Sequence, residues 1–163
     1  MSEPLTADDR LDILDVLARY CWALDTADPD ALSACFAREG VIVWDTFADP
    51  PTWTGREHIR ELAEVFRNMP GSVGRQHHLA SVVIEGDRDG ARVRAYVHVT
   101  DRKGEQPFPV RFAGWYDDRL VREDGRWLLA ERHIRDWSGP VLARFPGETG
   151  ERVFRERPPG LGA

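Results

Sequence analysis

Arg19-Tyr20-Cys21-Trp22-Ala23-Leu24-Asp25 closes the first amphipathic stretch of the chain. It sets a phenol, an indole and a carboxylate among apolar residues, where core packing ordinarily favours aliphatic side chains. Desolvating a Tyr or an Asp without a partner costs roughly a few kcal/mol. The phrase therefore marks either a satisfied structural network or the wall of a reactive pocket.

Upstream of it, Thr6 suits a helix N-cap, with Asp8 and Asp9 in the first turn where the helix dipole favours acids. Leu11, Leu14, Leu17 and Cys21 recur at helical spacing beside Ile13, Val16, Tyr20 and Leu24, which predicts one broad buried face. Downstream, Asp28 caps and Pro29 opens a short second helix carrying Leu32, Cys35 and Phe36, stopped by Gly40. A strand over 41–45 and a Pro-rich loop precede a third helix over 55–66, with Ile59, Leu62, Ala63 and Phe66 on one side. Beyond Gly71 and Gly74 the pattern changes to strands over 77–84, 91–100, 110–121 and 127–137, with a hairpin turn at Glu123-Asp124-Gly125. Helices first and strands after predict an α+β fold: three N-terminal helices packed on a curved antiparallel sheet, a cone-shaped α+β barrel enclosing a pocket. The 163 residues make one domain with a core over about 7–137 and a tail or flap over 138–163.

Composition narrows the partners. A net charge of −6 provides no basic field for nucleic acid or anionic lipid. Arginine almost replaces lysine, of which Lys103 is the sole example, and the arginines are scattered. Cys21 and Cys35 form no C-x-x-C and read as reduced core thiols. The acidic start lacks an apolar leader, and no run approaches the ~18 apolar residues of a membrane span, so the expectation is a soluble cytoplasmic protein.

The residues that can carry chemistry lie on several elements. Tyr20 and Asp25 are about 140° apart around a regular helix, but Asp25 sits at the helix end, where the chain can turn. His77 and His78 are adjacent on a strand, so one faces in and one faces out. His77 alternates with Leu79, Ser81 and Val83, and His78 with Ala80, Val82 and Ile84, a pattern that does not choose between them. An inward imidazole would be the best general acid or base near neutral pH. His98 shares its face with Arg92, Arg94, Tyr96 and Thr100, so alternation sends it outward unless a bulge intervenes. Trp44, Tyr116 and Arg132 are candidates for lining the pocket or orienting a substrate, as are Asp45 and Asp136. No H-x-H or H-E-x-x-H pattern predicts a metal, and no G-x-G-x-x-G, P-loop or G-x-S-x-G predicts a nucleotide cofactor or a serine nucleophile.

The ordered series R-Y-x-x-A-L-D (19–25), D-P-D-A-L-x-x-x-F (28–36), G-R-E-x-I (55–59), the His77-His78 strand start, G-x-Y-x-D (114–118) and R-x-D-G-R-W (122–127) resembles the SnoaL-like branch of the nuclear transport factor 2-like superfamily. The resemblance spans about 7–137 and is specific for the fold more than for the reaction. It implies a cofactor-independent acid–base enzyme on a small apolar oxygenated substrate of polyketide, steroid or aromatic type. A dehydratase is the first reading, with an isomerase or cyclase as its alternative. A non-catalytic reading, as a dioxygenase small subunit or a ligand-binding module, stays open. Carried over by residue, Tyr20 and Asp25 match the family's helix pair, His77 its strand-entry histidine and His98 its second cavity residue. A homo-oligomer, dimer or trimer, is expected.

Overall fold

The computed structural model describes residues 3–102 and 108–157; Met1, Ser2, Lys103 and the end of the expected tail, 158–163, lie outside them. Helix α1 (Ala7–Asp25) starts on a capping box: Asp9 N–H donates to Thr6 Oγ1 at 3.1 Å, and Asp9 Oδ2 accepts from Thr6 N–H at 2.9 Å. The same carboxylate accepts from Trp127 Nε1 at 3.0 Å and pairs with Arg122 at 3.1 Å. These bonds, the Thr6 hydroxyl foremost, hold the Asp9 carboxyl well below the usual carboxylate range. One cap thus also fastens the start of the helix to the sheet.

Helix α2 (Pro29–Ala34) begins with Asp28 accepting from Ala31 N–H at 2.9 Å. Strand β1 (Phe36–Val43) follows at once, and β2 (Thr52–Thr54) pairs with it antiparallel. The expected second helix therefore ends two residues before Phe36, and a short strand that sequence did not predict follows Pro50-Pro51. Helix α3 (Arg56–Asn68) leads to four long strands, β3 (Arg75–Asp87), β4 (Gly90–Asp101), β5 (Val110–Glu123) and β6 (Arg126–Asp136). The β5–β6 turn uses Asp124 and Gly125, both at positive φ (52° and 76°), as a two-residue hairpin demands.

The sheet order is β2-β1-β6-β5-β4-β3, and β1 runs parallel to β6. The sheet is thus mixed rather than purely antiparallel, curved and not closed into a barrel. Gly40 permits the β1–β6 approach: a Cβ there would stand 2.8 Å from Phe36 Cβ and 3.0 Å from the Leu129 carbonyl oxygen.

The helices cover one face of the sheet. Ile13, Leu17 and Leu32 from the helices meet Val93, Val97, Leu120 and Leu129 from the strands in one buried cluster. Each such side chain contributes about 1.5–3 kcal/mol by leaving water. On β4 the alternation is regular, with Ala91, Val93, Ala95, Val97 and Val99 buried and the residues between them facing out.

On β3 the alternation breaks. Ala80 pairs with Tyr96 and Val83 with Arg94, so Ser81 and Val82 together oppose Ala95, and Ser81 takes φ 50°. This β-bulge inserts one residue into the inward series. His77 and Leu79 face inward before it, and Val82 and Ile84 after it.

Candidate active site

Asp25 is the last residue of α1, and the chain turns away immediately: Ala27 takes φ 52° and Asp28 N–H donates back to the Ala23 carbonyl. The carboxylate is left facing β3. Its Oδ2 accepts the His77 backbone N–H at 2.8 Å, and its Oδ1 lies 2.5 Å from His77 Nδ1. A carboxylate only accepts, so Nδ1 carries the proton and donates. In the neutral imidazole that leaves the lone pair on Nε2, and no described residue hydrogen-bonds that atom. Two bonds from one carboxylate fix both the backbone and the ring of His77, which sets tautomer and orientation together.

His77 forms part of the wall of a cavity of about 150 Å³ beneath the helices, open at the side where Arg111, Arg155 and Glu156 are exposed. Tyr20, Trp44, Phe66 and Tyr116 line it as well, with Leu24, Ile42, Leu62 and Ile134 among its apolar members. Trp44 is held edge-on by Phe47, their ring centroids 5.3 Å apart, and lies 5.8 Å from Phe66. On its other side the Asp25–His77 pair borders an open groove of about 710 Å³ that includes Trp22, Thr26, Gly74 and Phe108. The side chains of His77 and Asp25 are 14% and 17% exposed, so the pair stands between the cavity and the groove.

Tyr20 and Tyr116 are both buried, in edge contact with centroids 5.9 Å apart. Burial pushes the Tyr20 phenol up to about 12 against the opposing pull of Arg132, and pushes the Tyr116 phenol well above its ordinary value. At neutral pH both are uncharged O–H groups able to donate to an oxygen in the cavity.

Arg132 was expected among the substrate-binding residues, and the structure sets it behind the wall instead. Its guanidinium carbon lies 3.9 Å from the Tyr20 ring centroid and 4.1 Å from that of Tyr116. Its fork is occupied by Asp118, Nε to Oδ1 at 2.8 Å and Nη2 to Oδ2 at 2.6 Å, and both side chains are fully buried. Burial pushes the Asp118 carboxyl up and Arg132 opposes that shift; the guanidinium itself stays protonated. Asp118 is the residue sequence reasoning left out. Its signal was its place directly opposite Arg132 across β5 and β6.

His98 is corrected too. It lies exposed on the outer face of β4, opposite His78, and does not line the cavity. His78 is also exposed, within 3.2 Å of the Thr100 hydroxyl. Asp45 pairs with Arg152 at 2.7 Å. The buried thiols Cys21 and Cys35 are pushed up by burial to about 12 and about 11 and stay unreactive near neutral pH. Among the described residues no group of three or more His, Cys, Asp or Glu side chains is placed to hold a metal ion, and no helix is long and apolar enough to cross a membrane.

The model of the SnoaL-like domain matches residues 5–133. The chain belongs to the SnoaL-like domain family. Within the match lie Tyr20, Asp25, His77, Tyr116, Asp118 and Arg132. No curated protein matches the chain. Solved structures do. A protein of unknown function from Mycobacterium tuberculosis is 28% identical, with a TM-score of 0.71 over 82% of this chain and 75% of its own. A protein of unknown function with a cystatin-like fold from Nostoc punctiforme is 26% identical, with a TM-score of 0.72 over 85% of this chain and 99% of its own. A Novosphingobium aromaticivorans protein proposed to be a scytalone dehydratase is 25% identical, with a TM-score of 0.65 over 78% and 83%. The SnoaL-like fold of this chain is thereby established.

Proposed function

We propose that this SnoaL-like protein is a cofactor-independent acid–base enzyme, a dehydratase (lyase) acting on a small, largely apolar, oxygenated substrate. The observation that carries the reading is the Asp25–His77 contact, with Nδ1 at 2.5 Å from the carboxylate and the ring on a cavity wall. His77 Nε2 takes a proton from a carbon α to a carbonyl, and Asp25 stabilises the imidazolium that forms. The neutral Tyr20 phenol donates to the oxygen on which negative charge develops, with Tyr116 beside it. The β-hydroxyl then departs with the proton returned by His77, leaving a carbon–carbon double bond and one water. Every proton taken is given back, and no electron changes hands. The likeness to a protein proposed to be a scytalone dehydratase supports the dehydratase class over the isomerase or cyclase.

The test does not require the natural substrate. Wild type should catalyse exchange of the α-protons of an aryl ketone such as acetophenone in heavy water, followed by NMR. His77→Ala should lower that rate by about 10²–10⁴-fold with an unchanged circular dichroism spectrum. Equal exchange by the two proteins would remove His77 from the mechanism.

A further inference from the structure

Arg75 precedes His77 by two residues and shares its inward face of β3. It lines the same cavity, together with Arg111 from β5 and Arg155 from the tail. The tail reaches the site because Arg155 N–H donates to the Thr46 carbonyl at 2.8 Å, bridging the chain to Phe47. Three guanidiniums therefore converge on one apolar cavity, and Glu156 is the only carboxylate among its described lining residues.

The three are not equally engaged. Arg111 is paired with the buried Asp101 at 2.7 Å. Arg75 donates only to the Gly71 carbonyl at 3.1 Å, and its guanidinium carbon lies 5.6 Å from the Phe66 ring centroid. The Arg155 guanidinium carbon lies 5.4 Å from the Phe112 ring centroid. Neither Arg75 nor Arg155 is in contact with a carboxylate among the described residues. Asp101 and Asp136 act on them only at longer range, and burial pushes the Asp136 carboxyl up, toward its uncharged form. Burial and the two neighbouring guanidiniums together disfavour the charge on Arg75. Arginine cannot relieve this by losing its proton, so an incoming anion would.

We propose that Arg75 and Arg155 form a carboxylate subsite, so that the substrate is an aromatic or alicyclic acid bound as its anion. Guanidinium forks match the planar carboxylate better than they match a neutral oxygen. A cavity of about 150 Å³ has room for one six-membered ring, a benzene-sized space. The proposal rests on the reading of His77 only in placing the substrate in this cavity.

Isothermal calorimetry on the full chain tests it with three probes of one ring each: benzoate, benzamide and phenyl phosphate. Benzoate should bind at least about tenfold more tightly than benzamide, and Arg75→Gln or Arg155→Gln should each remove about tenfold of benzoate affinity while leaving benzamide unchanged. Arg75→Lys, which keeps the charge, should retain more benzoate affinity than Arg75→Gln. Equal binding of benzoate and benzamide, or benzoate affinity indifferent to both glutamine variants, would overturn the subsite. Phenyl phosphate binding more tightly than benzoate would overturn its assignment to carboxylate. His77→Ala separates the two ideas. It should lose ketone exchange yet keep the preference for benzoate, so either result can fail without the other.

Discussion

Asp25–His77 and Asp118–Arg132 are both acid–base pairs on the helix-covered face of the sheet, yet they differ in what each leaves unspent. Asp118 and Arg132 meet through two parallel hydrogen bonds, are shut off from solvent, and are stacked against Tyr20 and Tyr116. The pair has no lone pair facing free space. Asp25 consumes only one nitrogen of His77 and leaves Nε2 on a ring that borders the cavity. A buried ion pair locked by two hydrogen bonds holds structure, whereas a carboxylate that orients an imidazole beside an opening can react.

The largest effect should come from Asp118→Ala. Removing the carboxylate strands a buried guanidinium, which should cost about 3–5 kcal/mol in urea unfolding. A loss below about 1 kcal/mol would mean that the two pairs are energetically alike. Asp25→Asn should do the reverse: ketone exchange should fall about 10²-fold, because an amide can present the wrong group to Nδ1, while stability changes little. A destabilisation matching that of Asp118→Ala would dissolve the contrast. His98→Gln should be the smallest perturbation, leaving exchange unchanged and stability within about 0.5 kcal/mol, as for other exposed positions. Any measurable loss of exchange would return His98 to the site.

The sequence carried the fold well because its signals are local. The Thr6 and Asp28 caps, the β4 alternation and the Asp124-Gly125 turn each act within a few residues. The parallel β1–β6 pairing was not legible, since the two strands lie some ninety residues apart and no turn joins them. The helix-end Asp25 was readable as a candidate and the family resemblance set His77 beside it, but strand alternation did not choose between His77 and His78. The extra residue at Ser81 is what lets His77 face inward along with Val82 and Ile84, and no strict alternation contains it. Arg132 was misread for a related reason. It was visible as a polar candidate, but whether its fork meets a substrate or Asp118 depends on β5–β6 register across the hairpin. Arg155 escaped notice altogether, because a tail rich in Gly and Pro shows no periodicity that would place it over a cavity.

The bulge at Ser81 ties two properties of β3 to one another. Val82 and Ile84 pack into the core, while His77 meets the carboxylate of Asp25, and both arrangements hold only while one surplus residue stands between them. A strand lacking it would have to surrender either its apolar anchors or its imidazole. The bulge therefore works as a parity lock: packing below it and proton chemistry above it are inherited together or lost together.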